Sequence, residues 1–323
     1  MSKEIKKVLV IKLGALGDFV LALAAMRKIR EAHPKAKITL LTTPPFEALA
    51  KLSPYFNSVE TDGRPEDFGQ TLAMIGRIRK ARYDRIYDLQ TNSRTNWYFQ
   101  LLRPFPPQWN GIAVGCALPQ KGSARLTMHT LERQADQLRA AGIWPDAPTE
   151  PGSAPPPDLS WILRKHKEPR PVAGAAAPRP YVLFVPGGSA HRLEKRWPVE
   201  CYAQLGSLLK AKGLDIVIIG GPQESAMARH IQKAVGGARD LTGRTDFAQL
   251  AVLGAKAALT VGNDTGPTHL LAAAGAPTIA LFSDASDPEL CGPRGHVAVI
   301  RSPDLKALPV STVASAAMAL LPH

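Results

Sequence analysis

With 323 residues, of which 45% are apolar and 21% charged, the chain is long enough for two domains of ordinary size and is not of disordered composition. No apolar run reaches the ~20 residues that span a bilayer, and the first residues show no signal-peptide cleavage pattern. The three cysteines, Cys116, Cys201 and Cys291, are odd in number and far apart, which argues against a disulfide framework or a zinc site and predicts a cytoplasmic protein.

The charge of the chain is strongly basic, since 40 Lys and Arg residues against 27 Asp and Glu residues give +13. Such an excess suits an anionic partner, which would be a nucleic acid, an anionic membrane surface or a phosphorylated substrate. The excess leans toward the first half, because residues 1–150 hold 22 basic and 14 acidic side chains. The sequence has no block of like charges and no interleaving of aromatic and basic residues, so nucleic acid is not the expected partner.

The first predicted strand, residues 8–11, is a continuous apolar run typical of a central parallel strand. It leads into a turn with Gly14 and Gly17, followed by Asp18 and a helix. The glycines suit a phosphate-type turn, but the full dinucleotide fingerprint is absent, and no acidic residue follows the second strand (38–42) to bind a ribose. A hydride-transfer enzyme is therefore disfavoured. Asp18 at a helix start is also compatible with a simple helix cap.

An alternating segment, residues 83–90, predicts another strand. It delivers Gln90 and Arg94 at its carboxyl end, where open α/β sheets bind their ligands. Arg94 is a candidate contact for a phosphate or a carboxylate, and a polar loop without function is the alternative. Further along the chain His129 opens a helix that runs to Ala141. A lone histidine at that position can equally be structural.

The middle of the chain is rich in proline. Residues 145–180 contain ten of the 29 prolines, together with a run of alanine and glycine. This composition is typical of a linker or hinge. We therefore predict an N-terminal domain at 1–157, a linker at 158–180 and a C-terminal domain at 181–323. Two such halves are what an enzyme with an interdomain cleft requires.

The C-terminal half begins with a predicted strand at 181–185 that runs into a second Gly-rich turn, which includes Gly188 and Ser189 and suits an anion. Lys195 follows this turn and precedes the next helix closely. A carboxylate after the second strand of a nucleotide-binding half is well placed for ribose hydroxyls, and Glu224 holds that position.

The stretch 262–269 lies between a predicted strand and a predicted helix, at the carboxyl end of a parallel sheet. Thr265 or Gly266 is placed as the helix N-cap, where orphan N–H groups and the helix dipole favour an anion. Asp264 would repel that anion, so we expect it to bind loop amides or a sugar hydroxyl. The alternative is an ordinary capped turn in which Asp264 has no function.

Several of these segments resemble the family 9 glycosyltransferases, the ADP-heptose heptosyltransferases of lipopolysaccharide core assembly. The similar segments are Gly-x-x-Gly-Asp at 14–18, Asp-x-Gln at 88–90, His-x-x-Glu-Arg at 129–133, Lys-x-Trp-Pro at 195–198 and Asp-Thr-Gly-Pro-Thr-His at 264–269. They are spread from residue 14 to residue 269, so the resemblance extends over most of the chain. The resemblance implies an α/β GT-B fold, in which two Rossmann-like domains with parallel sheets face a cleft, an ADP-sugar donor and an inverting transfer.

The resemblance also implies roles for individual residues. The matching aspartate, Asp18, would be the catalytic base, and the acceptor would contact four residues of the N-terminal half: Gly17, Gln90, Arg94 and His129. In the C-terminal half the donor diphosphate would be held by Gly188, Ser189, Lys195, Thr265 and Gly266. The ribose and the sugar would be held by Glu224, Asp264 and His269, and the backbone near Thr245 would frame the adenine.

We therefore predict an inverting glycosyltransferase that moves a heptose or a related sugar from an ADP-sugar to an anionic glycolipid, such as the lipopolysaccharide inner core, at the cytoplasmic face of the inner membrane. No Asp-x-Asp metal motif is present, so no metal or other cofactor is expected, and Lys195 with the helix dipoles would offset the charge of the leaving diphosphate. The alternatives are transfer to a protein or another glycan, a sugar-nucleotide epimerase of the same double fold, and a non-catalytic basic binding protein.

Overall fold

The computed structural model describes most of the chain, namely residues 4–165, 180–189 and 191–321. The chain forms two compact units, Met1–Pro157 and Asp158–His323. The first residues of the predicted linker belong to the second unit, because Ser160–Lys165 is a helix in which Trp161 and Ile162 are buried. The remainder of that linker, apart from its last residue, lies outside the described residues.

The first unit contains a sheet of six strands, all parallel: β1 Lys7–Ile11, β2 Lys37–Leu41, β3 Ser58–Glu60, β4 Arg85–Asp88, β5 Gln108–Gly111 and β6 Leu118–Pro119. Their order across the sheet is β3-β2-β1-β4-β5-β6. This is the Rossmann strand order, in which the direction of connection reverses between the first and fourth strands. Ligands of such sheets bind outside the carboxyl ends of the strands at that switch point, which here lies between β1 and β4.

In the described part of this unit six α-helices cover the sheet: α1 Leu16–Leu21, α2 Leu23–Ala32, α3 Glu47–Leu52, α4 Phe68–Ala81, α5 Ser93–Leu102 and α6 Thr130–Ala140. The single helix predicted after Asp18 is divided at Ala22 into α1 and α2. The start of α5 follows from its sequence, because the Asn92 side chain accepts a hydrogen bond from the Thr95 amide. The inner sides of α4 and α5 share one apolar cluster with β1, β4 and β5.

The second unit repeats this arrangement. Its strands are β7 Tyr181–Val185, β8 Asp215–Ile218, β9 Arg239–Asp240, β10 Leu259–Asn263, β11 Thr278–Phe282 and β12 Val297–Arg301. All pair in parallel, in the order β12-β11-β10-β7-β8-β9. Counted from the other edge this is the same Rossmann order, so the second switch point lies between β7 and β10.

The helices of the second unit are α7 Ser160–Lys165, α8 Val199–Ala211, α9 Ser225–Val235, α10 Phe247–Lys256, α11 Gly266–Ala273, α12 Pro288–Cys291 and α13 Val310–Leu320. A cluster of buried side chains from α8, α9 and α13 packs against the central strands, and Trp197 and Tyr202 are its largest members. Strands β7, β10 and β11 are buried along their whole length, as expected for parallel strands covered on both faces. Within the described residues no helix is long and apolar enough to cross a membrane.

Candidate active site

In the second unit the polar side chains gather at the carboxyl ends of β7 and β10. Asn263, the last residue of β10, holds this region together. Its Nδ2 donates hydrogen bonds to the carbonyls of Pro186 and Gly187 at 2.8 and 3.1 Å, and its Oδ1 accepts one from the Trp197 amide at 3.0 Å. One buried amide thus fixes the Gly-rich loop and the segment before α8 onto the sheet. No sequence motif assigned a role to Asn263.

Asp264, the next residue, receives three side-chain contacts. Its Oδ2 accepts hydrogen bonds from Lys195 Nζ at 2.7 Å and from Ser286 Oγ at 2.6 Å, and its Oδ1 lies 3.4 Å from His269 Nε2. Burial by itself raises the pKa of Asp264, but the hydrogen bonds from His269, Lys195 and Ser286 outweigh it and hold the pKa well below its usual range. Asp264 is therefore an ionised carboxylate, although its side chain is only 9% exposed.

The loop amides expected as partners of the Asp264 side chain are replaced by side-chain donors. Its own amide donates to the Leu281 carbonyl at 3.0 Å. The physical reason is Lys195: an ammonium group in a site only 18% exposed needs a counter-ion, and Asp264 supplies it. The pair neutralises the negative charge that otherwise would repel an anion from the neighbouring helix.

That helix, α11, begins without a side-chain cap. Thr265 is the N-cap residue, yet its side chain makes no capping hydrogen bond, and its buried Oγ1 has no partner among the described atoms. The N–H groups of Gly266 and Thr268 in the first turn are therefore available to an anion, and the dipole of α11 favours one. Pro267 lies in the first turn, as predicted. His269 is buried in the same helix, and its Nδ1 also lacks a hydrogen-bond partner in the described part of the chain.

The Gly-rich loop lies directly against this helix start. A Cβ atom on Gly188 would be 3.3 Å from Thr265 Cγ2 and 3.6 Å from Arg196 Cγ, so the loop, Thr265 and Arg196 are in contact. Arg196 Nη2 donates to the Gly188 carbonyl at 2.6 Å. Arg196 is a second cation at the loop that no motif singled out, although it adjoins Lys195 in the sequence. Ser189 is exposed beside Gly188.

Glu224 lies at the other side of the same loop and is buried. Its Oε2 accepts a hydrogen bond from the Gly221 amide at 2.7 Å. A Cβ on Gly187 would approach Glu224 Cγ to 2.5 Å, so only glycine at 187 leaves room for this carboxylate. Thr245 is half-buried and lies two residues after Gly243. A Cβ on Gly243 would lie 3.1 Å from Pro222 Cγ, so the loop with Thr245 adjoins the loop with Glu224. The residues predicted for the base and the ribose therefore belong to neighbouring loops.

In the first unit the corresponding switch point holds Asp18 and Lys12. Asp18 is half-buried in the first turn of α1, next to Gly17, and α1 has no side-chain cap. Asp18 makes no hydrogen bond through its carboxylate within the described residues, so the capping interpretation is not supported. Lys12 is buried, and its Nζ donates to the Leu89 carbonyl at 3.3 Å. Burial lowers the pKa of Lys12, while the charges of Asp18 and Asp88 raise it.

Gln90 and Arg94 differ in what they can do. Gln90 Oε1 accepts a hydrogen bond from the Leu13 amide at 2.9 Å, so Gln90 joins the loops after β4 and β1. Arg94 is exposed in the first turn of α5. Burial raises the pKa of Tyr98, and a hydrogen bond from Arg94 together with its positive charge acts against this rise. Arg94 remains accessible to an anion, whereas Gln90 is already engaged in positioning.

His129 is a helix cap in this structure. Its Nδ1 accepts a hydrogen bond from the Leu131 amide at 3.2 Å and lies 3.3 Å from Glu132 Oε2, with the residue only 4% exposed. The geometry therefore favours the structural alternative for His129, and contact with an acceptor stays a prediction. Arg125, which the sequence did not single out, donates to Thr91 Oγ1 at 3.3 Å at the end of β4. Within residues 4–165, 180–189 and 191–321, no group of three or more His, Cys, Asp and Glu side chains could hold a metal ion.

A profile of the family described as "Glycosyltransferase family 9 (heptosyltransferase)" matches residues 71–316. The chain belongs to glycosyltransferase family 9. It is 25% identical to lipopolysaccharide heptosyltransferase 2 of Escherichia coli K12, over 91% of this chain and 88% of that protein. The structure of E. coli ADP-heptose lps heptosyltransferase II matches it with a TM-score of 0.78 at 23% identity, covering 97% of this chain and 98% of the other.

The E. coli heptosyltransferase WaaC with ADP matches with a TM-score of 0.74 at 20% identity, over 97% of this chain and 99% of that one. These structures have the GT-B fold, which confirms the predicted fold class: two parallel six-stranded sheets with flanking helices. Membership in the family makes the chain a glycosyltransferase, as predicted. An epimerase and a non-catalytic binding protein are therefore not supported.

Proposed function

We propose that this family 9 glycosyltransferase transfers a heptose or a related sugar, with inversion, from an ADP-sugar to an anionic glycolipid such as the lipopolysaccharide inner core. The observation that carries the donor part is the ion pair of Lys195 and Asp264 beside the uncapped start of α11, at the switch point of the second unit. Support also comes from the relatives, since one is a lipopolysaccharide heptosyltransferase and a matching structure is that of an ADP-heptose heptosyltransferase.

The donor diphosphate lies between the Gly-rich loop and the first turn of α11. An ammonium group has three N–H donors. Asp264 uses one of those of Lys195 at 2.7 Å, so others can reach phosphate oxygens while the pair stays intact. Arg196 adds a second positive charge beside Gly188. These groups and the helix dipole stabilise the negative charge that grows on the diphosphate as the sugar leaves.

The remaining donor contacts follow the same loops. Glu224 beside Gly187 binds the ribose hydroxyls, Asp264 and His269 bind the sugar, and the backbone near Thr245 lies along the adenine. The positive groups already named perform the charge neutralisation for which many glycosyltransferases use a divalent metal, so we propose that none is required.

On the first unit Asp18 acts as the general base. It removes the proton of the acceptor hydroxyl, the hydroxyl oxygen bonds to the anomeric carbon, and the bond from that carbon to the diphosphate breaks, with the electron pair leaving on the ADP. A carboxylate that is half-buried and free of hydrogen bonds within the described residues keeps its lone pairs for this proton. Lys12 and Arg125 give the surroundings a positive charge that suits an anionic acceptor, which Arg94 also contacts.

With such an acceptor the enzyme works in the cytoplasm, at the membrane that carries the glycolipid. The test is to incubate the protein with ADP-heptose and lipopolysaccharide inner core and to measure ADP release together with the mass of the product. A heptose added to the core with inverted anomeric configuration supports the proposal. Transfer to a protein or to another glycan, with none to the core, would contradict the acceptor assignment but not the donor assignment.

A further inference from the structure

The first unit exposes large apolar side chains on the outer sides of α4 and α5. The inner sides of these helices pack on the sheet, whereas Phe68 and Leu72 of α4 and Trp97 of α5 face solvent. Phe105 and Val114, in the loops on either side of β5, are 92% and 83% exposed. These five account for half of the ten exposed large apolar side chains among the described residues. We name them, with the basic residues around them, the α4–α5 outer face.

Hydrogen bonds join α4, α5 and the loop after β5, which carry the α4–α5 outer face. Arg79 Nη2, near the end of α4, donates to the carbonyls of Leu101 and Arg103 at 2.6 and 3.0 Å, which joins the ends of the two helices. Gln100 Nε2 of α5 donates to the Val114 carbonyl at 3.2 Å, which places the loop after β5 beside α5. Phe105 follows Arg103 by two residues and therefore lies at the same end of this surface.

The charge of the α4–α5 outer face is positive. Between residues 64 and 115 the exposed acidic side chains are Glu66 and Asp67, and Asp67 is engaged as the cap of α4 through the Gln70 amide at 2.8 Å. The exposed basic side chains of that segment are Arg64, Arg79, Lys80, Arg82, Arg94 and Arg103. Isolated exposed apolar residues need no explanation, but several large ones on two neighbouring helices and the adjoining loops, interspersed with basic residues, favour an interaction surface.

We infer that the α4–α5 outer face docks onto an anionic phospholipid surface. Aromatic side chains such as Trp97 and Phe105 partition into the headgroup region of a bilayer, and Lys and Arg beside them bind the lipid phosphates. A negatively charged bilayer offers both an apolar interface for the aromatic side chains and phosphates for the basic ones. The inference rests on the proposed function in one respect, since an acceptor anchored in lipid gives the enzyme a reason to dock.

Trp97 reports directly on this docking. It is 66% exposed, while the other four tryptophans of the chain, at 109, 144, 161 and 197, are at most 6% exposed. The full chain is mixed with vesicles of brominated phosphatidylcholine with and without phosphatidylglycerol, and tryptophan emission is recorded. We expect quenching with the anionic vesicles, its absence in Trp97→Phe, and a decrease as salt is raised. Vesicle binding without quenching of Trp97 would overturn the inference, as would quenching that persists in Trp97→Phe.

A pair of substitutions tests the apolar contribution without the reporter. In the Phe105→Ser/Val114→Ser variant the partition coefficient into phosphatidylglycerol vesicles, measured by sedimentation, should fall about tenfold per side chain. The matched control is Leu208→Ser/Met318→Ser, which removes two exposed apolar side chains from the second unit and should bind like wild type. Equal binding by both double variants would overturn the inference. So would a wild-type dimer that only Phe105→Ser/Val114→Ser dissociates, because the surface would then bind a second copy.

Transfer to a delipidated, water-soluble core oligosaccharide separates docking from catalysis. We expect Phe105→Ser/Val114→Ser to keep wild-type turnover with that acceptor and to lose turnover only on vesicles that contain the full glycolipid. If wild type docks but transfers to neither acceptor, the proposed function fails and the docking surface stands. If wild type transfers to both but does not bind vesicles, the docking inference is wrong.

Discussion

The two units share one strand order, yet the pKa values of the aspartates at their switch points are shifted in opposite directions. Asp88 ends β4, and Asp264 follows β10, the equivalent strand of the second unit. Burial raises the pKa of Asp88 to about 6, although the Thr91 and Gln90 amides and the charge of Lys12 act against it. Burial also raises the pKa of Asp264, but three donor side chains lower it far more. Topology thus places a carboxylate, and its neighbours decide its charge.

The same comparison supports the different tasks that we propose for the two units. In the second unit, where we propose that the diphosphate binds, Asp264 accepts hydrogen bonds from Lys195 and Ser286, so the carboxylate is fixed and its charge is neutralised. In the first unit Asp18, which we propose as the general base, has no hydrogen-bond donor among the described residues, so its oxygens can accept a proton. The predictions below test this division, from the largest expected effect to the smallest.

The largest effect is expected from Asp18→Asn. This change keeps the shape of the side chain but removes its basicity, so turnover should fall about 10²–10⁴-fold. ADP affinity, measured by calorimetry, and the melting temperature should remain those of wild type, because Asp18 neither caps α1 nor belongs to the second unit. Full activity would remove Asp18 from the mechanism. A variant that unfolds would restore the capping interpretation.

Lys195→Ala should weaken ADP binding roughly 10- to 150-fold, the equivalent of a hydrogen bond to a charged group. It should also lower stability, because Asp264 is left as a buried carboxylate with fewer donors. Lys212→Ala, which removes an exposed lysine at the end of α8, is the control and should change neither quantity. Unchanged ADP affinity in Lys195→Ala would mean that the diphosphate lies elsewhere.

Much of this architecture could be predicted from the sequence. Apolar runs such as 181–185, followed by Gly-rich turns, predict central parallel strands that end at anion sites, and the structure places β7 and its loop there. The octet at 262–269 also folds as expected, with Thr265 as the N-cap and Pro267 in the first turn of α11. These features are local, since each follows from backbone preferences of a few consecutive residues.

What could not be predicted depends on contacts between distant segments. Asn263 looked like one polar residue among several, and only the fold brings Pro186, Gly187 and Trp197 to its side chain. Lys12 directly follows the apolar strand β1, and its buried Nζ has the Leu89 carbonyl as an acceptor because β4 lies beside β1 in the sheet. Ser286, a donor to Asp264, lies 22 residues away in a loop with no motif. No spacing rule relates such pairs, because the sheet register sets them.

A smaller effect on stability is expected from the Gly-rich loop. Gly187→Ala would place a Cβ 2.5 Å from Glu224 Cγ, so it should destabilise the protein by about 1–3 kcal/mol through overpacking. Glu224→Ala removes the clashing atoms, and adding it to Gly187→Ala should recover part of that loss in urea unfolding. A double-mutant cycle with no coupling would show that the loop and Glu224 are not in contact. Gly76→Ala in α4 is the control, because a Cβ there would have open space and the φ of Gly76 is not positive.

The smallest effect is a change of stability with pH that has opposite signs at the two aspartates. For Asp88 the folded pKa of about 6 lies above the ordinary 3.8, so the folded state binds the extra proton, and the destabilisation caused by the ionised group is relieved as pH falls from about 6 to 3.8. For Asp264 the folded pKa is lowered, so its stabilisation is complete above the ordinary value and is lost only as pH falls below about 3.8.

As pH is lowered from 7 to 4, the difference in unfolding free energy between wild type and Asp88→Asn should therefore change in favour of wild type. The difference between wild type and Asp264→Asn should stay constant over the same range. Urea unfolding of the three proteins at pH 7, 5.5 and 4 measures both differences. A constant difference for Asp88→Asn, or one that changes over this range for Asp264→Asn, would contradict the contrast between the two switch points.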